Sequence, residues 1–359
     1  MALSIDPDIR RARTLDSAFY RDQSIYDRVR ERVFVRSWQW LGDLTDVAPH
    51  GSLAPRALLP GLLDEPLLLA RDGGGTLRCL SNVCTHRGNI LIAAPCRAEQ
   101  IRCGYHSRRF DLAGRMLFMP EFALAHDFPS DADHLPELAF TQWQGHGFVS
   151  LAPHAPLEPL LSELNVRMPV QALESLSEDP AARRDYDVAA HWALYVENYL
   201  EGLHIPFVHP ALNEAVEFAS YRHELFRFSN LQVALAKDGE DAFEPSTDGP
   251  ERGTRVAAYY WWIFPNLMLN FYPWGVSVNL VQPMGPDSTR VSFRSYVGDA
   301  ARRQGGAGAA LDQVELEDER IVEAVHKGVR SRLYRSGRYS PTREQGVHHF
   351  HRLLCEFLE

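Results

Sequence analysis

The chain has 359 residues, enough for two compact domains, or one large one, with real hydrophobic cores. Hydrophobic residues at 45% and charged residues at 23% exclude a disordered chain, a collagen-like fibre and a membrane bundle; no stretch approaches the ~20 apolar residues of a membrane-spanning helix. A net charge of −10 leaves no basic footprint for nucleic acid. The opening MALSIDPDIRRARTLD has no apolar run, so it does not read as a secretory signal. An odd count of five cysteines then points to a cytoplasmic protein whose thiols are free or metal-bound.

Residues 1–37 carry spaced apolar positions (Tyr26, Val29, Val33, Phe34) and predict a helical segment packing on a later domain. From 38 to 152 short apolar runs alternate with Gly, Pro and Asp turns, which is all-β punctuation. The triple glycine Gly73 to Gly75 reads as a hairpin turn; no helix pattern follows it, as a phosphate loop would need. A second domain, 153–359, begins with a Pro- and Glu-rich connection. A helix is expected from about Trp192 to His204, then antiparallel strands over 220–300 interrupted by a polar loop near 237–254. ARRQGGAGAA reads as a flexible loop, and LDQVELEDERIVEAVHKGVRSRL as a long helix. The expectation is a small β domain followed by an α+β domain with an antiparallel sheet and a long C-terminal helix.

The strongest chemical signal is Cys84-Thr85-His86, then 16 residues, then Cys103-Gly104-Tyr105-His106. Zinc modules usually pair like with like; here each pair mixes one thiolate with one imidazole. That mixture suits a Rieske [2Fe–2S] cluster, in which two histidines replace two cysteines on one iron and raise the potential. Zinc is the alternative. Cys79, Cys96 and Cys355 have no partner pattern and read as buried free thiols.

A second signal is ENYLEGLHIPFVHP, with His204 and His209 five apart. Pro206 should end the helix near His204, so that the next turn can bring His209 back, with Glu201 one turn before His204. Two histidines need a carboxylate to complete the facial triad of non-haem Fe(II). Asp318 lies within the apolar stripe Leu311, Val314, Ile321, Val322 and Val325, where a carboxylate is expensive unless paired or metal-bound. A carboxylate at the rim of that stripe is the alternative. Glu317 and Glu319 flank it and are expected to face water.

The motifs NVCTHRG, CGYHSRRFDLAGR, ENYLEGLHIPFVH and EDERIVEAVHKG together resemble the Rieske non-haem iron oxygenases, α (oxygenase) subunit type, over about residues 20–358. The resemblance implies an all-β Rieske domain and a helix-grip, START-like catalytic domain. It implies Cys84, His86, Cys103 and His106 around the cluster and His204, His209 and Asp318 around a mononuclear Fe(II), with O₂ as co-substrate. It further implies a head-to-tail homotrimer in which Glu201 bridges His204 to a neighbour's cluster histidine. A glutamate there is closer to members acting on quaternary ammonium compounds. Arg108 stands where the family usually has Trp, near the cluster surface, which implies a different docking face for the electron donor. No Gly-rich dinucleotide turn occurs, so a separate NAD(P)H-dependent reductase, with or without a ferredoxin, is the expected partner.

The expected reaction is hydroxylation or oxidative demethylation of a small organic substrate, aromatic or quaternary-ammonium. Alternatives are an electron-transfer Rieske protein with an inactive second domain, and a ligand-binding scaffold with zinc. Alternate aromatics of Tyr259 to Phe264 could line a cavity, though ordinary sheet core is the simpler reading for any one of them. His348, His349 and His351 read as structural. The arginines at 330, 332, 335, 338 and 343 read as a solvated helix face.

Overall fold

The structure is a computed structural model that describes residues 3–168, 173–245 and 247–359. The chain divides into two compact units, Val35–Leu157 and the remainder, Met1–Phe34 with Glu158–Glu359.

The first unit is all β. Its strands are β1 (Gln39–Asp43), β2 (Ser52–Leu58), β3 (Glu65–Arg71), β4 (Leu77–Ser81), β5 (Cys96–Arg97), β6 (Ile101–Arg102), β7 (Arg109–Phe110), β8 (Met116–Phe118), β9 (Ala139–Trp143) and β10 (His146–Ser150). They form three antiparallel sheets, ordered β4-β3-β2-β5, β6-β7-β8 and β1-β10-β9. The triple glycine lies in the β3–β4 hairpin, closed by Thr76 C=O accepting from Asp72 N–H at 3.0 Å. Leu53, Leu68, Leu80, Ile101 and Phe110 share one core with Cys84 and Cys103. Packing therefore anchors both cysteine-bearing loops in the same place.

In the second unit α1 (Gln23–Val29) and a π turn precede α2 (Glu158–Arg167) and the strands β11 (Ser177–Glu178) and β12 (Arg184–Val188). There follow α3 (Trp192–Tyr199), α4 (Ile205–Val208) and α5 (Pro210–Ala215). The strands β13 (Arg222–Leu225), β14 (Ser229–Leu235), β15 (Val256–Ile263), β16 (Leu267–Tyr272), β17 (Gly275–Gly285) and β18 (Ser288–Val297) come next, and α6 (Leu311–Val329) and α7 (Gln345–Leu358) close the unit. The eight-stranded antiparallel sheet runs β11-β18-β17-β16-β15-β14-β13, with β12 also paired to β18. Strands β15 and β16 are buried at nearly every position, as in a sheet covered on both faces. Helix α3 packs on α6 and β17, and α7 packs on β13 and α3. Among the described residues no helix is long and apolar enough to cross a membrane.

Five expectations need correction. The helix from Trp192 stops at Tyr199, earlier than Pro206 requires: Leu200 leaves helical geometry (ψ 9°), and Glu201 Oε2 accepts the Leu203 and His204 N–H groups of the following turn. The glycine tract at 301–310 is packed: Ala307 and Gly308 are buried, and a Cβ on Gly308 would lie 2.8 Å from Tyr272 Cγ. The buried positions of α6 are Glu315, Val322, His326 and Val329, while Ile321 and Val325 are exposed. Hydropathy marked the wrong edge of that face, because a Glu and a His occupy its interior. Cys96 is exposed, because β5 is a two-residue edge strand; Cys79 and Cys355 are buried.

The arginines do not share a helix face. Arg330 ends α6 and pairs with Asp287, whereas Arg335 and Arg338, beyond the helix, hold Asp16 and the Arg10 carbonyl. Arg343 donates to the Phe218 and Tyr221 carbonyls. The three C-terminal histidines serve separate contacts. His348 meets the Asp6 carbonyl at 2.8 Å, and His351 meets Tyr339 (2.6 Å) and Glu197 (3.1 Å), while His349 lies beside Trp262.

Candidate active site

Two loops of the β unit repeat one geometry. Cys84 N–H donates to Asn89 C=O and Gly88 N–H donates back to Cys84 C=O, at 2.8 and 3.0 Å. Cys103 N–H donates to Arg108 C=O and Ser107 N–H to Cys103 C=O, at 2.8 and 3.1 Å. Gly88 and Ser107, equivalent positions, both have left-handed backbone, with φ of 69° and 60°. These tight turns bring the two His rings together, with centroids 4.8 Å apart, over two buried thiols. Burial resists ionisation of both thiols; N–H groups around Cys103, including Tyr105 N–H at 3.4 Å, nevertheless hold it below the ordinary range, while Cys84 stays above. His106 Nδ1 is buried and has no hydrogen-bond partner among the described residues. Two thiols, two half-buried imidazoles and an orphaned ring nitrogen are a donor set that fits a Rieske cluster.

Arg108 is not a surface residue. It is 1% exposed, donates to Asp133 Oδ1 at 2.6 Å and lies over the Phe110 and Phe128 rings. Asp133 C=O also accepts from Thr85 Oγ1 at 2.8 Å. Arg108 and Asp133 thus tie the two loops together, and the expected change at a docking face is replaced by an internal clamp.

In the second unit, the turn between α3 and α4 presents Glu201 and His204, and the α4–α5 junction presents His209. Proline at the start of both short helices suits their free N-termini and fixes the sharp reversal. One ligand atom each from His204, His209 and Asp318 lies within 4.8 Å of the others. His209 Nε2 is 3.0 Å and His204 Nε2 3.7 Å from Asp318 Oδ1. Both rings are oriented from behind: His204 Nδ1 meets Glu201 Oε1 at 2.6 Å, and His209 Nδ1 meets Glu317 Oε2 at 2.8 Å. A carboxylate on Nδ1–H leaves Nε2 as the free donor in each ring. Asn198 Nδ2 steadies Asp318 Oδ1 at 2.5 Å.

Burial works against a charged His209, yet the hydrogen bonds to Asp318 and Glu317 outweigh it and raise its pKa. A positive charge is favoured between these carboxylates. A divalent cation in place of the Nε2 proton meets the same demand, so the residues fit a mononuclear iron. Glu317 was expected to face water and instead orients His209. Its signal was faint, an i,i+4 pairing with Gln313 (2.7 Å) that fixes the carboxylate's direction. Tyr195 and Glu315 also went unread: a hydroxyl in an apolar helix and an acid in a run of acids carry no local signature.

Glu201, His204, His209, Asp318, Tyr195 and Glu315 line a cavity of about 100 Å³. Tyr199, Tyr221, Tyr260 and Tyr272 form aromatic walls, with Asn270, Asn279 and Gln232 as polar points. Of the Tyr259–Phe264 strand only Tyr260 reaches it; the other aromatics are elsewhere in the unit. The glycine tract contributes Ala307.

The model of the Rieske [2Fe-2S] domain matches residues 37–129, and that of the ring hydroxylating alpha subunit (catalytic domain) matches residues 176–359. The chain is 29% identical to the carnitine monooxygenase oxygenase subunit of Escherichia coli (strain K12), over 96% of this chain and 93% of the relative. It is 28% identical to the chloroplastic choline monooxygenase of Arabidopsis thaliana, over 99% of this chain and 85% of the relative. A solved quaternary ammonium Rieske monooxygenase, described with carnitine oxidation and inter-subunit electron transfer, superposes with a TM-score of 0.78 at 22% identity, covering 100% of both chains. The chain therefore belongs to the ring-hydroxylating alpha-subunit family and is the terminal oxygenase component of a Rieske oxygenase system.

Proposed function

We propose that the enzyme uses O₂ and externally supplied electrons to hydroxylate, or oxidatively demethylate, a small organic substrate of aromatic or quaternary-ammonium type. The observation that carries this is the meeting of His204, His209 and Asp318 at the wall of a tyrosine-lined cavity. In this reading Cys84, His86, Cys103 and His106 hold the [2Fe–2S] cluster, and His204, His209 and Asp318 hold the iron. Iron in such a triad supplies open coordination positions for O₂ chemistry. Glu201 keeps the His204 Nδ1 proton in place, and its second oxygen accepts the backbone N–H groups of Leu203 and His204, so ring and turn move together. The tyrosine walls exclude water and position the substrate.

The same reading includes a separate NAD(P)H-dependent reductase, with or without a ferredoxin, and cytoplasmic location. It includes a homotrimer in which Glu201 links His204 to a neighbouring subunit's cluster histidine; the inter-subunit electron transfer described for the structural relative supports an oligomer. An electron-transfer protein with an inactive second domain would have no use for three converging ligands beside a cavity.

The test is iron and acid-labile sulfide content of anaerobically purified protein, with EPR after reduction. Three irons and two sulfides per chain are expected. Asp318→Ala should keep the sulfide and the Rieske signal, and lose mononuclear iron and oxygenase activity. Activity surviving that change overturns the triad assignment.

A further inference from the structure

Among the described residues that line the cavity, Glu315 is the one acid that neither histidine uses. It is 3% exposed, sits on α6 one turn before Asp318 and lines the same cavity. Its Oε2 accepts from Tyr195 OH at 2.5 Å. Its Oε1 is buried and has no hydrogen-bond partner among the described residues. An unpartnered carboxylate oxygen away from water is costly unless something supplies the missing charge or donor.

The protein around it does not supply one. Tyr199 OH is committed to Asn270 Oδ1 at 2.7 Å, Tyr221 OH to Gln232 Oε1 at 3.2 Å, and Asn198 to Asp318. Among the described residues that line the cavity there is no Lys or Arg. The walls have the matching electrostatics: Tyr260 stands edge-to-face with Tyr199 and Tyr272, at centroid distances of 6.4 and 6.0 Å. Tyrosine faces carry negative charge density and attract organic cations. Burial with nothing facing Oε1 pushes the Glu315 carboxyl up to about 8; an organic cation beside it restores the ionised form, and a neutral ring or an anion does not.

We infer that Glu315 determines substrate class: it holds the positively charged nitrogen of an alkylammonium substrate against the tyrosine walls. The inference rests on the cavity's being the oxygenase substrate site and chooses within that reading. One helical turn, on the order of 5 Å, separates Glu315 from Asp318 along α6, so a carbon attached to the held nitrogen falls towards the triad. Glu315 acts on recognition, and Tyr195 positions it.

The test uses iron-loaded, anaerobic full-length protein and calorimetric binding of three probes: choline, tetramethylammonium and 3,3-dimethylbutan-1-ol, the uncharged carbon isostere of choline. The wild type should bind choline at least about tenfold more tightly than the isostere. Glu315→Gln keeps the shape and removes the charge. It should abolish that preference while leaving isostere binding, iron and sulfide unchanged. Tyr195→Phe, which keeps the carboxylate, should retain the preference and guards against a folding artefact. Equal binding of choline and isostere by the wild type, a preference undiminished in Glu315→Gln, or failure of both cations to bind overturns the inference. Missing iron or sulfide in the wild type would instead refute the oxygenase reading, independently of any cation preference.

Discussion

Replacing Glu317 by Ala should weaken the mononuclear metal site without touching a metal ligand. The Glu317 Oε2 to His209 Nδ1 bond, 2.8 Å, fixes both the ring's orientation and its tautomer. Removing an outer partner of a ligating His lowers metal affinity by about 10- to 100-fold, roughly 1.4–2.8 kcal/mol. The pH dependence has a definite sign. In the metal-free site the Asp318 and Glu317 carboxylates raise the His209 pKa against the pull of burial, so a proton competes with the metal increasingly as pH falls. Taking Glu317 away removes one group that holds that proton and so relieves part of the competition. The variant's deficit should be largest near pH 8 and narrow towards pH 6. Glu317→Gln keeps a carbonyl acceptor for Nδ1–H and should fall between the two. Fe(II) or Co(II) affinity is read by competition with a calibrated chelator, with sulfide content as the check on the cluster domain. An Ala variant within twofold of wild type at pH 8, where His209→Ala has lost the site, refutes the orienting role.

Arg108→Met should destabilise the β unit and loosen its cluster loops. Breaking a fully buried ion pair costs about 3–5 kcal/mol; the Asp133 side chain keeps 20% exposure, so about 2 kcal/mol is the better expectation. Denaturant unfolding followed by visible circular dichroism should show cluster loss at lower denaturant, and an unchanged midpoint would mean the clamp is idle. Gly308→Ala places a methyl against Trp274 and the Tyr272 ring, an overpacking of about 1–3 kcal/mol. It should lower thermal stability and reduce substrate affinity through movement of Tyr272 and Ala307; a variant with native melting and native affinity would show that the tract yields freely.

What the sequence determined by itself were features whose signal is local. Mixed Cys–His pairs on short loops state a ligand chemistry through residue type and spacing alone, and the hairpin strands announce themselves by period-two burial, visible in β18. His204 and His209 were legible for the same reason, since the prolines beside them dictate a reversal. Asp318 was half legible: its periodicity left a rim carboxylate open, and the family segment pointed to it. What only the tertiary structure decided are the relations between distant segments. Glu317 sits 108 residues from His209, and Glu315 sits 120 from Tyr195. The Gln313 pairing near Glu317 does not distinguish an acid in water from one behind an imidazole, because that difference is the position of the distant α4–α5 junction. Arg108 shows the converse, since in sequence it is a cation beside a cluster motif, and only the packing of Phe110, Phe128 and Asp133 around it turns it inward. Residue type sets which bonds a side chain can make; the fold sets which partner is near enough to make them, as Tyr195 is for Glu315 Oε2, and which atom, such as Glu315 Oε1, has none among the described residues.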